Sequence, residues 1–152
     1  MDKAQKTFVN KTNAKRPPGS GAYTSVIAQI SKNNVCPFCP DQLNTYHKKP
    51  IIKNGKFWLA TENMYPYHGA KEHLLLIHKE HIESLSELDS VQWGELKQIL
   101  DALIDERNIP GAALIMRSGQ TAYTGATVNH LHAQLVSGSG DPDAEPILTR
   151  LG

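Results

Sequence analysis

The chain has 152 residues, with 16 Lys and Arg against 15 Asp and Glu, a net charge of +1 and 39% hydrophobic residues. A chain of this length can bury about 70% of its extended surface, enough for one domain with its own core, and the composition is ordinary for a soluble globular protein. The longest notable apolar run, Leu74–Ile77, is far short of the ~20 residues of a membrane span, so no membrane partner is expected.

The first twenty residues hold five bases (Lys3, Lys6, Lys11, Lys15, Arg16) and one acid, Asp2; the rest hold 11 bases and 14 acids. This stretch has few apolar residues and ends in Arg16-Pro17-Pro18-Gly19-Ser20-Gly21. Residues 1–21 therefore read as a flexible basic arm ahead of a single domain at 22–152. A basic arm can touch nucleic acid, but its sparse aromatics favour a solubilising extension, and nucleic acid is not the expected partner. Met1-Asp2-Lys3-Ala4-Gln5-Lys6 offers no apolar signal-peptide core, and the only two cysteines form one close pair that suits a reducing compartment. A cytoplasmic location is the expectation.

Val26, Ile27 and Ile30 are spaced for a short helix over 22–32. Cys36-Pro37-Phe38-Cys39 follows. Cys-x-x-Cys reads either as a redox pair or as half of a zinc site. The redox reading expects a strand before the pair and a helix after it, whereas Pro40 and Asp41 give a polar, turn-like setting. A closed zinc site needs four Cys or His ligands, so two histidines must come from elsewhere among seven. His47 and His68 lie in polar, turn-like segments and read as solvated, while His73 and His78 flank an apolar strand and are fallback ligands.

Strands at 50–53 and 56–60 flank Asn54-Gly55, a type I′ hairpin signal. A third strand covers 73–78. The strongest helix spans 90–107: Asp89 is its N-cap with Gln92 completing a capping box, and Leu96, Ile99, Leu100, Leu103 and Ile104 make one apolar stripe. Gly111 after Pro110 stops it, and strands at 112–117 and 130–136 follow. The fold class is α+β, a mostly antiparallel sheet with one main helix packed on a face.

The last strand carries the chemistry. His130-Leu131-His132-Ala133-Gln134-Leu135 alternates with period 2, so His130, His132 and Gln134 share one face, each about 6.6 Å from the next, while Leu131, Ala133 and Leu135 enter a core. Before it, Arg117 to Asn129 is rich in Gly, Thr and Ser and has no acid. Such a loop can aim backbone N–H groups at an anion, or simply join two strands.

Gly125-x-Thr127-x-x-His130-x-His132-x-Gln134 resembles the histidine triad (HIT) superfamily, and His73 to Leu85 resembles that family's strand with its following Lys-x-His-Ile-x-Ser-Leu, here Lys79 to Leu85, with His78 where Pro is usual. Phe57-Trp58-Leu59-Ala60 and Asn63-Met64-Tyr65-Pro66-Tyr67 resemble the preceding strand and turn, and the match runs over residues 35–136 in order. Gln134 in the third triad place is similar to the nucleotidyltransferase branch, the galactose-1-phosphate uridylyltransferases and dinucleoside-tetraphosphate phosphorylases. Two features depart from that branch: the family often has Asn-x-Gly where this chain has Arg117-Ser118-Gly119, and the chain is much shorter than a uridylyltransferase.

The resemblance implies a five-stranded sheet, a homodimer, and a structural zinc on Cys36, Cys39, His81 and His130. It implies His132 as nucleophile toward the α-phosphate of a nucleotide or dinucleotide, with its second ring nitrogen on the backbone carbonyl of His130. Gly125 and Thr127 would meet the phosphate, and Arg117 would either join them or face solvent. Gln134 can donate to a phosphoryl oxygen but cannot protonate a leaving group. The expected leaving group is therefore one that departs as an anion, and the expected reaction is transfer of the nucleotidyl group to phosphate or another acceptor. Hydrolysis, or a zinc-stabilised nucleotide-binding module with little turnover, are the alternatives.

Overall fold

The computed structural model describes residues 6–15 and 21–152. Its elements are α1 (Lys11–Lys15), α2 (Gly21–Asn33), α3 (Pro40–Tyr46), β1 (Ile51–Asn54), β2 (Trp58–Glu62), β3 (Glu72–His78), α4 (Ser90–Glu106), β4 (Ala113–Met116), α5 (Thr121–Thr124) and β5 (His132–Ser137), with a 3₁₀ turn at Leu85–Glu87. The strands form one five-stranded sheet in the order β1-β2-β3-β5-β4, and every pairing is antiparallel. Among the described residues, no helix is long and apolar enough to cross a membrane.

The uninterrupted run Leu74–Ile77 is explained by burial on both faces of the central strand. Leu74 and Leu76 pack with Leu96, Ile99, Leu100 and Leu103 of α4, together with Trp58, Leu131, Ala133 and Leu135. Leu75 and Ile77, pointing the other way, pack with Leu43 of α3 and Phe38. Leu75 lies opposite Gln134 and Ile77 opposite His132, so the site residues stand on the α3 face, away from α4.

The main helix is as the sequence predicts, with Asp89 and Gln92 closing a reciprocal capping box. Ile104, assigned to the apolar stripe, is exposed. A short helix, α3, begins directly after Cys39 with Pro40 at its first position, where the sequence reads as a turn; Pro pre-sets the helical φ and has no N–H to leave unsatisfied.

Two further expectations differ from the structure. The β1–β2 connection is a three-residue loop, Gly55–Phe57, without the positive φ that a type I′ turn requires. Its shape is imposed from outside: the Glu95 carboxylate of α4 accepts the backbone N–H groups of Lys56, Phe57 and Trp58 at 2.6, 2.7 and 2.8 Å. A Cβ on Gly55 would lie 2.7 Å from that carboxylate. The other concerns the arm. Its residues 1–5 and 16–20 lie outside the described residues, but residues 8–15 are packed. Val9 forms a bridge to Val128, Asn10 N–H donates to the Thr127 carbonyl at 2.7 Å, and buried Asn13 donates to the Thr121 and Ala126 carbonyls at 2.9 and 2.7 Å. Val9 and Ala14 join Ile27, Ile30 and Val128 in a second apolar cluster. Three asparagine and backbone contacts, rather than a long apolar run, seat this segment, so composition alone reads it as unstructured.

Candidate active site and metal centre

Four potential ligands converge from three stretches of chain. The Cys36, Cys39, His81 and His130 donor atoms all lie within 4.8 Å of one another. Cys36 Sγ is 3.3 Å from His130 Nδ1, and Cys39 Sγ is 3.4 Å from His81 Nδ1 and 3.8 Å from His130 Nδ1. Tetrahedral zinc, with bonds of about 2.3 Å to sulfur and about 2.1 Å to nitrogen, holds S and N about 3.6 Å apart. These three sulfur–nitrogen distances lie close to that value.

The ring tautomers match too. His130 Nε2 donates to the His78 carbonyl at 2.6 Å, and His81 Nε2 donates to the Glu83 carboxylate at 2.9 Å. Each histidine thereby keeps its Nδ1 lone pair for a cation, with the outer hydrogen bond that zinc-bound imidazoles ordinarily have. Burial holds the His130 imidazole down to about 4 and pushes the Cys36 thiol up to about 12. A thiol so disfavoured as thiolate is a poor redox nucleophile without a cation beside it, and a helix, not a strand, precedes the pair. Both facts favour the metal reading of Cys-x-x-Cys. His73 and His78 take no part in this cluster: His78 Nδ1 donates to the Glu80 carbonyl at 3.0 Å.

β5 begins at His132, so His130 stands just ahead of the strand. His132 Nδ1 donates to the His130 carbonyl at 2.6 Å. Its Nε2 therefore bears the lone pair. Burial, opposed by that carbonyl and reinforced by the Arg117 charge, holds His132 down to about 4, and the ring is neutral at pH 7. Phe38 packs its ring edge-on at 5.0 Å.

Gln134 is oriented by His73, which the sequence offers only as a fallback metal ligand at the head of an apolar strand. His73 Nδ1 accepts the Tyr67 backbone N–H at 3.0 Å. A backbone N–H can only donate, so the neutral ring carries its proton on Nε2, which donates to Gln134 Oε1 at 2.7 Å. Burial, partly offset by that bond, holds His73 below the usual histidine range and keeps it in this form. The Gln134 carbonyl is thereby engaged, and its NH₂ is left to donate elsewhere.

His132 and Gln134 line a cavity of about 280 Å³ together with Thr127, Arg117, Arg150, Tyr23, Tyr67 and the apolar side chains of Val26, Ile27, Ile30 and Phe38. His47 also lines it; expected to be solvated, it is half-buried and bonded to Thr61 at 2.7 Å. Thr127 hydrogen-bonds the Tyr23 phenol. Arg117 is half-buried and tied to its neighbours: Nε donates to the Thr124 carbonyl at 2.9 Å, and Nη2 to Thr149 Oγ1 at 2.9 Å and the Arg150 carbonyl at 2.8 Å. Gly125 has φ 76° and ends α5, and what approaches it closely is the chain's own tail: a Cβ there would lie 2.9 Å from the Arg150 carbonyl oxygen.

No protein-family model and no curated protein matches the chain. Solved structures do. A HIT family hydrolase from Clostridium thermocellum is 29% identical, with 74% of this chain and 96% of that one covered at a TM-score of 0.54. A hypothetical histidine triad nucleotide-binding protein from Sulfolobus tokodaii strain7 is 26% identical, covering 76% and 79% at a TM-score of 0.53. A zinc-bound histidine triad family protein from Mycobacterium smegmatis shares the fold at 19% identity, covering 71% and 78% with a TM-score of 0.53. In its sheet order, and in the order of the site residues along the strands, the chain is similar to these histidine triad proteins.

Proposed function

We propose that the chain binds a nucleotide and cleaves a nucleoside-phosphate anhydride at its α-phosphate, passing the nucleotidyl group to phosphate or another acceptor. The observation that carries this reading is the Nδ1–H bond from His132 to the His130 carbonyl at 2.6 Å, which leaves a neutral imidazole with its Nε2 lone pair available at the cavity. Nε2 attacks phosphorus and the P–O bond to the bridging oxygen breaks. The bonding pair leaves with the second phosphate, and a nucleotidyl-histidine remains. The acceptor's oxygen then attacks phosphorus, and the P–N pair returns to Nε2. The Gln134 NH₂ donates to a non-bridging oxygen as its charge grows, and Thr127 supplies a hydroxyl to the same group. Apolar side chains of α2 and Phe38 exclude water from the nucleoside side.

Cys36, Cys39, His81 and His130 would hold zinc. A site closed by four protein ligands makes it a structural cation that stabilises the fold around His130. Hydrolysis is the second reading, favoured by the description of matched relatives as hydrolases.

The test is single turnover on an α-³²P-labelled nucleoside triphosphate or dinucleotide, quenched and denatured, with and without added phosphate. Wild type is expected to carry acid-labile label on protein and to divert product from monophosphate to diphosphate when phosphate is added. His132→Ala is expected to lose label and turnover while nucleotide affinity stays within roughly tenfold. Near-wild-type turnover in His132→Ala would reject the covalent route, and a product unchanged by phosphate would favour the hydrolase.

A further inference from the structure

The metal cluster has an outer layer that the proposed reaction does not use, and part of it comes from the N-terminal segment. The Glu83 carboxylate accepts His81 Nε2–H at 2.9 Å, and the same oxygen pairs with Lys6 Nζ at 3.0 Å. The Asn129 side chain hydrogen-bonds this carboxylate as well. Glu83 is held at both backbone ends: its N–H donates to the Glu87 carboxylate at 2.9 Å, and its carbonyl accepts the Gly119 N–H at 2.8 Å. Phe8 meets the His81 ring at 5.4 Å between centroids, with the planes at 88°, and the Phe8 carbonyl accepts the Asn129 N–H at 2.8 Å. Two residues on, Asn10 N–H donates to the Thr127 carbonyl, and Asn10 Nδ2 donates to Thr121 Oγ1 at 3.1 Å. Residues 6–10 thus run from the His81–Glu83 pair to the loop that brings Thr127 to the cavity.

A metal-bound imidazole is oriented by the acceptor on its other nitrogen, and a carboxylate already fixed at both backbone ends is such an acceptor. A cation on His81 Nδ1 ties the second ring nitrogen. The ring then becomes a fixed wall for Phe8, and Glu83 a fixed partner for Lys6. The Lys6 side chain is 59% exposed, so its ion pair alone contributes little; the seating depends on that pair together with the Phe8 ring contact. We infer that Glu83 is a positioning residue of the metal centre and that residues 6–10 close over the His81–Glu83 pair, so that metal binding and seating of the N-terminal segment reinforce each other. The Thr127 loop is steadied through that segment. The effect is reciprocal: whatever factor the seated segment adds to metal affinity, the metal adds to the seating. This rests on the metal reading of the cluster.

The experiment pairs zinc affinity, from competition with a chromophoric chelator, with amide hydrogen exchange of the full chain. Glu83→Ala is expected to weaken zinc by roughly tenfold to a hundredfold, the range for the outer partner of a metal-bound histidine. Glu83→Gln, which keeps an acceptor for His81 but not the charge, is expected to lose less. Phe8→Ala is expected to weaken zinc by roughly threefold, the effect of one aromatic edge contact. Zinc removal is expected to speed exchange at the Asn10 and Asn129 N–H groups by at least the same factor while amides of β2 and β3 stay protected, and added zinc is expected to restore the slow rate. Zinc affinity within about twofold of wild type in Glu83→Ala or in Phe8→Ala, or exchange at Asn10 and Asn129 that ignores the metal, overturns the inference while the cluster stands. A wild type that binds no zinc overturns the metal reading and this inference with it.

Discussion

His132 and Gln134 show what a two-residue repeat can and cannot reveal. Their shared face, and the inability of an amide to act as an acid, follow from the strand pattern alone. The orientation of Gln134 does not. His73 reaches it because Leu75 pairs with Gln134 across β3 and β5 and His73 stands one diagonal step away, which only register decides. On the proposed function His73 would be a positioning residue, its effect expected to pass entirely through Gln134. His73→Ala should lower kcat by roughly tenfold to a hundredfold, the range for outer hydrogen-bond partners of a reactive group, with KM changed little. In a Gln134→Ala background the same substitution should add almost nothing, and His73→Asn should recover part of the loss in the parent. Steady-state kinetics on the double-mutant cycle decides it: additive losses would mean that His73 acts by packing alone.

At the scale of elements, the helix α4 is legible through the period that burial of one face imposes, and the central strand β3 through an apolar run buried on both faces. The turn between β1 and β2 is not, because a residue nearly forty positions away shapes it. The Glu95 carboxylate replaces the local turn chemistry that Asn54-Gly55 signals by accepting three backbone N–H groups. Burial pushes the Glu95 carboxyl up, but the three donors, with the nearby Lys79 charge, outweigh it and hold the group below the usual carboxylate range. Because the folded state favours the ionised form, the stability this group contributes is present at neutral pH. It is lost as the pH falls from the ordinary carboxylate range through the lowered folded value. Glu95→Ala should destabilise the protein by about 2 kcal/mol at pH 7, since three partly buried N–H groups lose a charged acceptor. The difference from wild type should shrink in acid. Urea unfolding at pH 7 and at pH 3 measures both, and a destabilisation that is the same at the two pH values would show that the carboxylate charge is not what holds the loop.

At the scale of the whole molecule, the site is assembled from segments distant in sequence. The N-terminal residues 8–15 brace the loop before β5, the tail crosses the same loop, and the Cys36–Cys39 pair meets His81 and His130 beside it. Of these, the Cys36-x-x-Cys39 half of the metal cluster is legible from the residues alone, while His81 and His130 are legible only through the resemblance to histidine triad proteins; the two braces use backbone groups, Asn and Thr, which leave no comparable trace in a sequence. The cluster joins the segment before α3 to those following β3 and preceding β5, so its metal should stabilise the fold and steady the His130 carbonyl that receives His132 Nδ1–H. Purified protein is expected to hold about one zinc per chain by elemental analysis. Cys36→Ser should lose the metal and melt lower by about 10 °C, as loss of a few kcal/mol implies for a chain of this length. Chelation of wild type should produce a similar shift, reversed by adding zinc back. Turnover should fall with the metal even at temperatures where the apo protein stays folded, because the anchor of His132, the proposed nucleophile, is loosened. Metal-free protein that melts like the zinc-loaded form, with Cys36 and Cys39 joined in a disulfide, would restore the redox reading of the pair and remove zinc from the account.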